Sequence, residues 1–231
     1  MTLTARVSVS QTPTFLQSLL EPERVALLQT GRATRWQPTE MLVQRGARAD
    51  SAIVLLGGLV KIHTSLDGVE VVLGLSGPGD LLGEVTAVRD SVRSATATAL
   101  ESVEGVVIPL ARLRAFLADH PRASLALLDL ALTRLYVADA RRIEFATSES
   151  LARVAGRLVE LCERFGVAGS DGAIDVALPI TQEELASWSA SSRESTARAL
   201  RTLRGLRLIE TNRRRLTVLD LEGLRAHTAR L

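Results

Sequence analysis

Apolar residues change their spacing several times along the chain, and each change marks an element. Residues 14–30 place Phe15, Leu16, Leu19, Leu20, Val25, Leu27 and Leu28 at mixed helical spacing, broken at Glu21-Pro22, which predicts one or two short helices. From Ala33 to Ile108 the apolar runs are short or alternating, as in Ala52 to Leu56, Leu59 to Ile62 and Val69 to Leu75. Turn clusters at Gly46, Gly57-Gly58, Asp67-Gly68, Gly77-Pro78-Gly79 and Glu104-Gly105 separate them, and this pattern predicts an antiparallel sandwich or barrel.

A different period begins after His120-Pro121. Leu125, Leu128, Leu132 and Leu135 predict a long helix with one apolar seam. Such a seam calls for a partner helix, and the simplest partner is the same helix of a second subunit. Continued along the helix, the seam reaches Asp139 and Arg142, charges that need each other, water or a ligand. Thr147-Ser148-Glu149 predicts a capped restart, with a hinge near residues 145–149. Leu151, Val154, Leu158, Leu161 and Cys162 then form the apolar face of a helix ending before Gly166. Ile174, Val176 and Leu178 alternate as in a short strand.

Two capping boxes follow, Thr181 with Glu184 and Ser191 with Glu194. They predict a short helix burying Leu185 and Trp188, then a second running to about Gly205 that buries Thr196, Ala199, Leu200 and Leu203. The spacing is that of a helix-turn-helix. The outer face of the second helix carries Arg193, Glu194, Ala197, Arg198 and Arg201. Arg can bond guanine O6 and N7 and Glu can accept from the cytosine amino group, so this face has reagents for G·C pairs. Asn212-Arg213-Arg214-Arg215, between two apolar segments, reads as the tip of a two-stranded wing where cations would meet phosphate.

Composition sharpens this reading. The 231 residues suffice for two domains. Nothing approaches 18 consecutive apolar residues and no leader-like core is present, so the expectation is a cytoplasmic chain with no membrane role. The single Cys162 excludes an intrachain disulfide and an iron–sulfur cluster. Net charge is +2, but residues 180–231 hold 10 Arg against 6 acidic residues, which makes the C-terminal part the basic module. His63, His120 and His227 lie in three separate segments and form no His-x-His metal pair. No nucleophile–base set is evident either, so the chain is not expected to be an enzyme.

The stretch Gly77 to Thr96 is the candidate ligand pocket. Two turn signals, Pro78-Gly79 and Gly83, precede Glu84, where a helix start would leave amides free for an anion. Arg93 offers bidentate phosphate contact and Ser94 a further hydroxyl donor, while Glu84 suits the hydroxyls of a sugar. A surface loop with a salt bridge is the alternative.

Gly79-Asp80, Gly83-Glu84 and Arg93-Ser94-Ala95 resemble the phosphate-binding cassette of the cyclic-AMP receptor protein (CRP/FNR) family, and the resemblance is ordered along nearly the whole chain. It implies an α+β protein: an N-terminal double-stranded β-roll with leading helices over residues 1–120, a dimerisation helix over 121–146, and a winged helix-turn-helix over 147–231. It further implies that Glu84 meets a ribose hydroxyl and that Arg93 and Ser94 hold a cyclic phosphate, assisted by the amide of Gly83 or Ala95. Where the family carries a Thr-Ser pair that reads the base, this chain has Ala138-Asp139. The family implies cyclic AMP. Asp139 would match the guanine edge better, which leaves cyclic GMP or another effector open.

Ser192-Arg193-Glu194-Ser195-Thr196-Ala197-Arg198 is similar to the family's recognition helix, which implies Arg193, Glu194 and Arg198 as base readers on a palindromic duplex with TGTGA-like half-sites. Thr181, Ser192, Ala197, Arg201, Arg213, Arg214 and Arg215 complete the expected DNA surface. Ala190 stands where a Gly is frequent at the turn. The function implied is a homodimeric transcription regulator under cyclic-nucleotide control that meets RNA polymerase. The alternatives are a DNA-binding regulator with another effector or none, and a nucleotide-binding module with no DNA role.

Overall fold

The computed structural model describes residues 13–85, 92–169, 172–177, 180–212 and 215–228. Two short helices open it, α1 (Phe15–Ser18) and α2 (Glu21–Gln29). Pro22 does not interrupt the second but lies in its first turn, where a missing N–H costs no hydrogen bond.

Among the described residues eight strands follow: β1 (Arg32–Trp36), β2 (Met41–Val43), β3 (Ser51–Gly57), β4 (Val60–Leu66), β5 (Val69–Ser76), β6 (Leu81–Leu82), β7 (Thr96–Ala99) and β8 (Val103–Pro109). They form two antiparallel sheets, in the orders β1-β8-β3-β6 and β2-β7-β4-β5. Strand β3 explains why part of this region reads as a continuous apolar run rather than an alternating one. Ile53 and Leu55 point into the core shared with Val60, Ala97 and Ala99 of the second sheet. Ala52 and Val54 point the other way, into a second core with Phe15, Leu27, Leu113 and Phe116 from helices.

One helix of that second core, α3 (Leu110–Asp119), was not expected from the sequence. The long helix α4 (Pro121–Thr147) begins at Pro121 as predicted. Its seam residues Leu125, Leu128, Leu132 and Leu135 are 55–65% exposed, whereas Ala123 and Leu127 on another face are buried. The chain divides into two compact units, the first ending at Val137 and the second beginning at Ala138.

The second unit contains α5 (Ser150–Phe165), β9 (Val167–Ala168), β10 (Ile174–Ala177), α6 (Gln182–Trp188), α7 (Arg193–Gly205), β11 (Ile209–Asn212), β12 (Arg215–Val218) and α8 (Leu221–Ala226). Its sheet has the order β11-β12-β10-β9. Leu185, Trp188, Thr196, Ala199, Leu200 and Leu203 are all buried, as their spacing predicts. Cys162 is buried too, and burial pushes its thiol pKa up to about 12. Two ends differ from expectation. Thr147 does not cap the restart: its hydroxyl donates to the Ile143 carbonyl at 2.8 Å, and α5 starts after Glu149 without a side-chain cap. The cap of α7 is Ser192, whose Oγ accepts from the Ser195 amide at 3.1 Å, one residue later than the Ser191–Glu194 box requires. Among the described residues no helix is long and apolar enough to cross a membrane.

Candidate functional site

The ligand cassette is built where the β5–β6 turn returns the chain to the first sheet. Asp80 helps to close that turn: its carboxylate accepts from the Gly77 amide at 3.0 Å. Gly83 has φ +82°, and a Cβ there would run into Arg93 Nη1, so only glycine lets the guanidinium come this close to the backbone.

Arg93 is buried, which is unusual for a side chain that stays charged. Its Nη2 donates to the Ser51 carbonyl at 2.6 Å, and its own backbone is tied to Gly46 and Ala47. Nη1 is buried and has no hydrogen-bond partner among the described residues. Burial lowers the pKa of the guanidinium, while the nearby charges of Asp50 and Glu84 oppose that shift. A buried cation with one unused donor fits an anionic ligand, because leaving such a donor unmade is costly.

Glu84 is also buried, at the first turn after Gly83. Its Oε1 pairs with Arg134 of α4, whose Nη2 donates to the Leu81 carbonyl at 2.9 Å. The sequence reading missed Arg134, which lies 50 residues away beside the seam leucine Leu135. It supplies the second cation of the site and holds the carboxylate proposed for sugar. Ser94 is exposed and Ala95 half-buried, both next to Arg93 in sequence. Asp139 is exposed and pairs with Arg142 one turn along its own helix, at 3.4 Å.

The candidate nucleic-acid interface belongs to the second unit. Thr181 caps α6 with the expected box: its Oγ1 accepts from the Glu184 amide and the Glu184 carboxylate accepts from the Thr181 amide. Along the outer face of α7, Arg193, Glu194, Arg198 and Arg201 are exposed and Ala197 is half-buried. Glu194 does not reach back to a cap; it accepts from Arg198 Nη2 at 2.9 Å. Arg193 lies 3.8 Å from Glu183. These exposed pairs are weak and can exchange for base or phosphate contacts. Arg215 lies in β12 and pairs with Asp175 at 2.8 Å, helping the Thr217 hydroxyl to lower the Asp175 pKa. Arg213 and Arg214 lie outside the described residues.

Comparison with known proteins agrees with both halves. Residues 33–120 match the cyclic nucleotide-binding domain family, and residues 152–227 match the Crp-like helix-turn-helix domain. A CRP-like cAMP-activated global transcriptional regulator of Mycobacterium tuberculosis is 30% identical over 187 residues, which span 78% of this chain and 81% of that protein. Among solved structures, a transcriptional regulator of the CRP family from Thermus thermophilus superposes with a TM-score of 0.70 at 28% identity, covering 84% of this chain and 95% of that one. A c-di-GMP responsive global regulator from Xanthomonas campestris shares the fold, with a TM-score of 0.72 at 20% identity over 85% of this chain and 98% of its own. With the cassette and the exposed recognition face in place, these likenesses show that the chain belongs to the CRP/FNR family of DNA-binding transcription regulators.

Proposed function

We propose that the protein is a homodimeric, sequence-specific regulator whose DNA binding is controlled by a cyclic nucleotide, cyclic AMP being the first candidate. The observation that carries this reading is Arg93, a buried guanidinium beside Gly83 whose Nη1 has no partner among the described residues. In this reading Arg93 and Ser94 hold the cyclic phosphate, assisted by an amide of Gly83 or Ala95, and Glu84 exchanges part of its pairing with Arg134 for ribose hydroxyls. The ligand supplies an anion and a sugar edge; the residues supply charge, donors and exclusion of water.

The exposed leucine seam of α4 supports dimerisation, since four large apolar side chains on one helix face lose water only against another surface. Two copies of α7 would then enter successive major grooves of a palindromic operator, in the cytoplasm and within reach of RNA polymerase. Moving such a switch from 1:99 to 99:1 requires the effector to favour the DNA-competent state by about 5.5 kcal/mol.

A different effector is favoured by Ala138-Asp139, where a carboxylate stands at the base-reading position implied by the family. Calorimetric titration of the full chain with cyclic AMP and cyclic GMP, repeated with Asp139→Ser, tests both readings. Micromolar binding of either nucleotide supports the cassette, and a changed preference in the variant assigns base reading to Asp139. Binding of neither removes the cyclic-nucleotide reading and leaves the DNA-binding family assignment intact.

For the DNA surface, Arg193→Ala is expected to cost about 1–3 kcal/mol on the cognate operator and to relax base preference at one position. Competition binding against single-base operator variants checks it. A uniform loss on all sequences would make Arg193 a phosphate contact.

A further inference from the structure

The turn that joins α6 to the recognition helix α7 is conformationally costly. Ala190 has φ +46°, in the left-handed region that a Cβ disfavours. The Ser191 amide closes the turn on the Ala186 carbonyl at 2.9 Å, and the Ser189 hydroxyl donates back to the Leu185 carbonyl at 2.8 Å. The carbonyls of Ser189 and Ala190 lie at the negative end of α6, and the first also accepts from the Ser191 hydroxyl at 3.1 Å.

One side chain takes both of them. Arg153, in the first turns of α5, donates from Nε to the Ser189 carbonyl at 3.0 Å and from Nη2 to the Ala190 carbonyl at 3.1 Å. Its Nη1 donates to the Ser148 carbonyl just beyond α4, and its guanidinium lies 5.5 Å from the centre of the Phe145 ring. Three nitrogens and one face of the cation are therefore engaged at once. A lysine has neither the fork geometry nor the fixed spread of donors to do this. Arg153 bonds no other charged side chain in these contacts; every oxygen it meets belongs to the backbone or to a serine of the same turns.

We propose that Arg153 is the positioning residue for the recognition helix. It holds Ala190 in the left-handed turn by satisfying the two carbonyls that this turn exposes, and is itself held by Ser148 and Phe145. The chain thus places an arginine where a glycine at 190 would relieve the backbone directly. This inference rests on DNA binding and is independent of which effector the roll takes.

The test uses an operator selected by the full-length wild-type chain from a randomised duplex library, with a random-sequence duplex as control. Arg153→Met keeps the apolar stem and removes the donors. It is expected to weaken operator binding by about tenfold, equal to about 1.4 kcal/mol, and to leave random-duplex binding at low salt unchanged. Adding Ala190→Gly to Arg153→Met is expected to restore most of the lost operator affinity, because glycine needs no help to hold the turn. Circular dichroism confirms folding, and Arg153→Lys, expected to give a smaller loss, serves if the Met variant does not fold. Full operator affinity in the Met or Lys variant overturns the proposal. So does an equal loss on both duplexes, or a loss that Ala190→Gly leaves untouched.

Discussion

Glu144→Ala is expected to destabilise the second unit by about 3 kcal/mol, in the lower part of the range for breaking a buried ion pair. Glu144 near the end of α4 and Arg157 of α5 are both buried and meet at 2.8 Å. Removing the carboxylate leaves a guanidinium in the core, where burial already lowers its pKa. The loss stays below the top of the range because Glu160 remains 3.3 Å from Arg157 and the Trp188 ring lies 5.8 Å from the guanidinium. Urea titration followed by circular dichroism measures it. The double replacement Glu144→Leu with Arg157→Met is expected to be far milder, since an apolar pair of similar volume avoids the desolvation of both charges. A single variant as stable as the wild type would show that the pair is solvated in solution.

The second large effect is on ligand binding. Arg93→Ala is expected to abolish binding of the cyclic nucleotide. The two N–H groups of Nη1, unpartnered among the described residues, as charge-assisted donors at about 1.5–3 kcal/mol each, correspond to a loss on the order of 10²–10⁴-fold. The proposed dimer is expected to persist, because the exposed α4 seam leucines contain none of the cassette. Calorimetry reads the first outcome and sedimentation the second. Unchanged affinity would remove Arg93 from the pocket and with it the reading of Nη1 as an anion donor.

What was legible in the chain was what depends on local spacing. Turn residues between short apolar runs marked most of the strands, though not β1, with its polar Arg32, Thr34 and Arg35, nor the two-residue β6, and the buried positions of α6 and α7 followed from their periodicity. The cap at 192 was displaced by one because Ser191 and Ser192 are chemically equivalent; a spacing to Glu194 cannot tell which hydroxyl meets an amide, whereas the left-handed Ala190 settles the register. Helix α3 escaped because it is short and follows directly on β8, with Arg112 and Arg114 interrupting the apolar residues. The residues that complete the sites were the least visible. Arg134 reaches across 50 residues to Glu84, and Arg153 across more than 30 to Ser189. Nothing near either arginine in sequence names its partner. Arg157 and Glu144 were hidden for the same reason, since a buried charge is recognisable only once its counter-charge is brought beside it.

The burial of Cys162 has a practical consequence. It is the only cysteine in the chain, and with its thiol pKa pushed up to about 12 the reactive thiolate is scarce at neutral pH. The natural sequence therefore serves as its own background for maleimide labelling. A cysteine introduced at an exposed site such as Arg201 would carry a fluorophore or spin label alone, and distances between labelled copies could be followed as an effector is titrated.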